Sequence, residues 1–99
     1  MPNPIPCVEK DVFFKIFFSQ GEWCGNFAGE MEIGIDMLET TQPLVRRSVV
    51  MRKLNDSIGS SAVVVHIEGR YVLQDGNHSV AAAILRGDKT IKVKLYEYK

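Results

Sequence analysis

Ninety-nine residues are one domain's worth of chain, enough to bury a core and too short for a second folding unit of ordinary size. Hydrophobic residues at 45% and charged residues at 24% form a globular mixture and exclude a disordered or fibrous chain. Twelve basic and twelve acidic side chains cancel, which removes the positive field behind non-specific binding to nucleic acid or anionic lipid.

The chain opens with Pro2, Pro4 and Pro6, which remove backbone donors and push their neighbours to extended forms, so residues 1–10 read as an arm. No basic stretch precedes the first apolar run, so no signal peptide is expected. The longest apolar runs fall far short of the ~20 residues of a membrane helix. Cys7 and Cys24 sit in no CxxC or Cys/His ligand spacing and read as reduced thiols. Together these features point to a cytoplasmic protein.

Phe13, Phe14, Phe17, Phe18, Trp23 and Phe27 are six of the nine aromatic residues, all in the first third of the chain. Asp11 as an N-cap, apolar positions 13, 14, 17 and 18, and Gly21 as a stop fit a short helix; residues 12–18 fit a buried strand equally well. Two roles compete for this segment. It either lies across one face of a sheet to close the core, or presents Phe13, Phe17 and Trp23 to a protein partner.

From Met31 the pattern is clearer. Ile33, Ile35 and Met37 alternate with Glu32, Gly34 and Asp36, the period of a half-buried strand. Residues 40–43 interrupt it, and Val50, Met51, Leu54 and Ile58 then form one stripe of a helix over 44–57, closed by residues 59–61. The β-branched run 62–67, a turn at 68–70 and the return 71–73 predict a hairpin. Residues 75–77 break the strand with helix-capping chemistry, and an alanine-rich helix over 80–85 ends at Arg86 and Gly87. Ile91, Val93 and Leu95 alternate with Lys92, Lys94 and Tyr96 in a last strand.

The sharpest local signal is the strand-to-helix turn Asp75-Gly76-Asn77-His78-Ser79. A helix start offers unpaired N–H groups and the positive end of the macrodipole, a natural seat for phosphate, and Gly76 allows close backbone approach. The plainer reading is that Asp75 or Asn77 caps the helix and His78 packs nearby. Arg46 and Arg47, in the first turn of the other helix, oppose its dipole at about 0.3–1 kcal/mol each when exposed, so either neighbouring acids, solvation or a bound anion offsets them. Both helix starts are expected to face one pocket.

These residues resemble the N-terminal domain of the ParB/sulfiredoxin family. The likeness rests on Gln42-Pro43, a helix closing at Ser57-Ile58, a valine-rich strand, Asp75-Gly76-Asn77-His78-Ser79-Val80-Ala81-Ala82, and Thr90-Ile91-Lys92-Val93. It covers residues 31–97, so 1–30 reads as an aromatic-rich extension before a domain at 31–99. The resemblance implies an α+β fold with a mixed four-stranded sheet and two or three helices. It also implies a nucleotide or phosphate at the glycine turn, with a nucleoside triphosphate and Mg²⁺ as the expected cofactor. Site residues carried over are Gly76, Asn77, His78, Ser79 and Gln42, with Arg46 and Arg47 as charge partners, because Leu44 stands where the family has an arginine after Gln-Pro.

Two departures shape the functional expectation. Ser79 replaces the family's phosphate-gripping arginine, and serine cannot supply bidentate recognition. Asn77 stands at the reactive cysteine of sulfiredoxin, which removes the nucleophile and with it sulfiredoxin activity. Any catalysis implied is nucleotide-dependent phosphoryl transfer or hydrolysis. No DxD or HxxE grouping is present, so no metal ligands are assigned. ParB continues into a helix-turn-helix and a dimerisation domain that these residues do not hold, so a complete partition protein is not expected. The alternative is a non-enzymatic inhibitor or adaptor of phage or plasmid type that uses the fold and its aromatic N-terminus to bind another protein.

Overall fold

A computed structural model of the chain describes residues 1–9, 11, 12, 25–55 and 62–98. Five strands form one mixed sheet: β1 (Gly25–Gly34), β2 (Leu38–Thr40), β3 (Ala62–Ile67), β4 (Arg70–Asp75) and β5 (Thr90–Tyr98), in the order β1-β5-β3-β4-β2. Among the described residues two helices are seen in full, α1 (Arg47–Asn55) and α2 (Asn77–Arg86). β2 runs parallel to β4 and β5 parallel to β3, while the β1–β5 and β3–β4 pairs are antiparallel.

The expected four strands become five because the alternating segment after Met31 is not continuous. A 3-10 turn over Ile35–Met37 breaks it, so Met37 is turned out at 55% exposure while Ile35 and Leu38 stay buried. One strand of the sequence pattern is thus split between the two edges of the sheet. Central β3 is buried on both faces, which is why it reads as a run of valines and not as an alternation. The hairpin to β4 has Glu68 and Gly69 both at positive φ, +52° and +75°, as a type I′ turn demands.

α1 is shorter than expected. Leu44 pairs with Pro2 in an isolated bridge, Val45 is buried at 3% exposure, and the helix begins only at Arg47. Of the anticipated stripe, Val50 is buried, Leu54 is half-buried and Met51 is exposed; Ile58 and the closing residues 59–61 lie outside the described residues. α2 is the inner helix. Val80 and Ala83 pack on Ile33, Ala62, Val64, Leu73 and Val93 of the sheet, and Ala81 and Ala82 pack on Val45 and Val50. Burial on two sides explains the alanine run: short side chains let both layers approach. The helix closes at Gly87 in the left-handed region, with Asp88 N–H donating to Ala83 O at 3.0 Å.

The proline-rich start is extended but is not a free arm. Asn3 N–H donates to Pro43 O, Val45 N–H to Met1 O, Thr40 N–H to Pro6 O and Val8 N–H to Thr40 O, each at 2.9 Å. Ile5 is buried in the helix-side core, while Val8 and Val12 cover Val65, Ile67 and Val72 on the opposite face. Arg70 ties the same segment down through Glu9 at 3.1 Å. That hydrogen bond, aided by the charge of Glu39, raises the guanidinium above its ordinary pKa. Asp11 and Val12 are helical, so Asp11 lies within the helix and not at its N-cap; Phe13, Phe14, Phe17, Phe18 and Trp23 lie outside the described residues.

Gly76 and Gly87 both occupy left-handed backbone, at φ +93° and +86°, but a Cβ at Gly76 would come within 3.0 Å of the Ala62 Cα while one at Gly87 would meet nothing within 4 Å. Gly87→Ala should therefore cost about 1–2 kcal/mol from backbone strain alone. Gly76→Ala should cost more, by about 1–3 kcal/mol of overpacking against β3. Urea unfolding of the two variants measures the difference directly.

Candidate functional site

The candidate site is the meeting place of two helix starts. At the first, β4 ends in Asp75, whose Oδ1 accepts the Gly76 N–H at 2.9 Å. Gly76 is then the N-cap of α2, so neither Asp75 nor Asn77 holds that position, and the N-cap makes no side-chain capping bond. At the second, Arg46 immediately precedes α1 and its N–H donates to His78 Nε2 at 3.0 Å. This bond joins the two starts and fixes the ring: Nε2 accepts, so Nδ1 carries the proton and is the only ring atom left to donate outward.

The two helix ends bring their positive poles together with no acidic residue in the first turn of either. Arg46 and Arg47 are exposed and form no ion pair among the described residues. His78 and Ser79 are half-buried beside them.

Asn77 plays a different part. It is 5% exposed, and its Oδ1 accepts two hydrogen bonds, from the Thr40 hydroxyl and from Asn3 Nδ2, the latter at 2.9 Å. Its side chain is committed to the interior, leaving the backbone N–H as what it can offer a ligand. Asn3 was not singled out by sequence, yet its carboxamide also donates to Gln42 O at 3.0 Å and accepts Ile5 N–H at 3.1 Å. Gln42 in turn closes its own loop, donating from Nε2 to Leu44 O at 2.7 Å. No sequence signal marks Asn3, because its role depends on the N-terminal segment lying back over residues 40–45.

No family model and no curated protein matches the sequence. Among solved structures, sulfiredoxin from Arabidopsis thaliana superposes with a TM-score of 0.59 at 17% identity, covering 69% of this chain and 84% of that one. The C-terminally truncated chromosome-partitioning protein ParB from Caulobacter crescentus, complexed with CTP-γ-S, superposes with a TM-score of 0.58 at 18% identity. This match covers 73% of this chain and 46% of the ParB chain. The chain has the ParB/sulfiredoxin fold.

Within the ParB/sulfiredoxin fold, the position expected for a sulfiredoxin nucleophile is held here by a buried structural amide. Among the described residues no group of three or more His, Cys, Asp or Glu side chains is placed to hold a metal ion. Cys7, an exposed free thiol, lies on the N-terminal segment; Cys24 is outside the described residues. No helix of the described residues is long and apolar enough to cross a membrane. A groove of about 450 Å³ walled by Pro4, Ile5, Pro6, Ile35, Leu38 and Ile84, with Asp36, Asp88 and Lys89 completing it, was not foreseen and shares no residue with the glycine turn.

The buried amide gives a stability test. Asn77→Leu keeps the volume but leaves the Thr40 hydroxyl and one Asn3 N–H without an acceptor, at a cost of about 1–3 kcal/mol. Thr40→Val combined with Asn77→Leu should cost less than the two single changes added together, because the pair removes donor and acceptor at once. A double-mutant cycle by chemical denaturation reads this coupling.

Proposed function

We propose that the chain binds a nucleotide or a phosphate group where the two helix starts meet. The observation that carries this reading is the 3.0 Å bond from Arg46 N–H to His78 Nε2, which brings two positive helix poles and two exposed arginines side by side with no acid in either first turn. Backbone N–H groups of residues 77 and 78 supply directional donors, His78 Nδ1 adds one more, and Arg46 and Arg47 supply charge. Asp75 opposes this only weakly, since one carboxylate oxygen is already turned onto Gly76 N–H. A ParB neighbour of the same fold is complexed with CTP-γ-S, which supports a nucleotide as the ligand class.

The donor set suits a phosphate better than a protein-held cation. Mg²⁺ commonly binds through one or two carboxylates together with substrate phosphates, so here it would arrive on a nucleoside triphosphate, with Asp75 the nearest carboxylate in sequence. The ion would supply charge neutralisation between the phosphates. The chain's own residues bind and orient the ligand, and binding is the activity assigned; any catalysis would be nucleotide-dependent phosphoryl transfer or hydrolysis. The neutral overall charge and the free Cys7 thiol fit a cytoplasmic protein of this kind.

Binding should be weak in the natural protein, because Ser79 offers a neutral hydroxyl where a guanidinium would be stronger. Titration with inorganic phosphate and with nucleoside triphosphates, with and without Mg²⁺, should shift the amide resonances of residues 76–79 and, less strongly, those of 46 and 47. Ser79→Arg should tighten binding about tenfold, the difference between a charge-assisted bond of about 1.5–3 kcal/mol and a neutral one of about 0.5–1.5 kcal/mol. Unmoved amides at millimolar ligand in both proteins would remove the site and leave protein binding as the function.

A further inference from the structure

The two edges of the sheet are treated differently. β2 is covered, since the N-terminal segment pairs with it at Cys7 and Thr40 and Val8 N–H donates to Thr40 O. β1, at the other edge, is ten residues long, and among the described residues no strand pairs along its outer side. A bare edge presents a row of unpaired N–H and C=O groups, which proteins usually blunt by shortness, proline or lysine. β1 is neither short nor interrupted by proline or lysine; a bulge between Phe27 and Gly29 disturbs only its start, and Glu30 and Glu32 are its charges. Its side chains are open as well: Phe27 is 59% and Met31 38% exposed.

The register says what would fit there. Phe27 lies opposite Tyr96, Glu30 opposite Lys94 and Glu32 opposite Lys92, all on one face, while Met31 opposite Val93 and Ile33 opposite Ile91 share the other. β5 therefore presents a row of lysines and β1 a row of glutamates beside it, so the next strand outward is matched in charge when it is basic. A second copy of β1 is matched badly, because antiparallel pairing about Met31 sets glutamate against glutamate.

We propose that the outer edge of β1 takes up an extended segment of another protein, with basic residues facing Glu30 and Glu32 and an apolar residue between them on the side of Met31. Main-chain hydrogen bonds give such a strand its affinity and the alternating side chains its selectivity. The site is distinct from the two helix starts and stands whether or not they bind phosphate.

Amide hydrogen exchange of the full chain tests this with short peptides alternating lysine with valine or glutamate with valine. The lysine peptide at millimolar concentration should slow exchange at alternate amides of residues 26–33, and the glutamate peptide should not. Changing Glu30→Lys and Glu32→Lys together should weaken the lysine peptide about tenfold and admit the glutamate peptide, the fold being checked by its unaltered circular dichroism. The peptide comparison in the natural protein decides even if that variant misfolds. Unchanged β1 exchange with the lysine peptide, equal protection by both peptides, or protection that grows with protein concentration alone would each overturn the proposal, the last by showing a second copy on the edge.

Discussion

The buried carboxamide of Asn77 is where three separated stretches of sequence are held to one another. Thr40 at the end of β2 and Asn3 in the N-terminal segment both donate to its Oδ1, and Asn77 itself opens α2. A polar group in a dry interior is tolerable only with its partners in place, so loss of any one leaves the others costly. This makes the arrangement all-or-none. Once Asn77 is seated, α2 starts against β2, the 40–45 loop is fixed through Gln42 O, and the N-terminal segment is laid down along that loop.

From that anchor the remaining geometry follows by packing. Gly76 must lie against Ala62 of β3, which only a residue without Cβ allows, and the alanine face of α2 then receives Val45 and Val50. Because Val45 is pinned there, Arg46 has little choice of position, and its N–H meets His78. The convergence of two helix starts is thus a consequence of close helix packing over short side chains. The positive field at that place arises from backbone dipoles that the fold would assemble for its own reasons.

How much of this was legible in the sequence depended on whether the signal was local. The hairpin at Glu68-Gly69, the helix start after Gly76 and its stop at Gly87 could be read, because turn and cap chemistry acts between neighbours. The break at Ile35–Met37 was not, since its residues alternate as a strand does and only the sheet's need to place β1 and β2 at opposite edges turns them. The proline-rich start looked like an arm for the same reason: proline fixes local extension but says nothing of the long-range partners, Pro43, Thr40 and Val45, that dock it. In the candidate site the backbone features were visible, whereas the burial of Asn77 was hidden, because asparagine at a helix start is ordinarily a surface cap.

Gly76 and Asn77 are each required by the fold, one by the approach of Ala62 and the other by two buried donors, so their presence would persist in a chain that had lost every ligand. Arg46, Arg47 and the outward side of His78 carry the opposite implication. Exposed arginines at a helix start cost stability through the macrodipole and gain no ion pair among the described residues to offset it. Solvation or a bound anion offsets that cost, so the proposed anion site rests on Arg46, Arg47 and His78 and not on Gly76 and Asn77, which the fold itself requires.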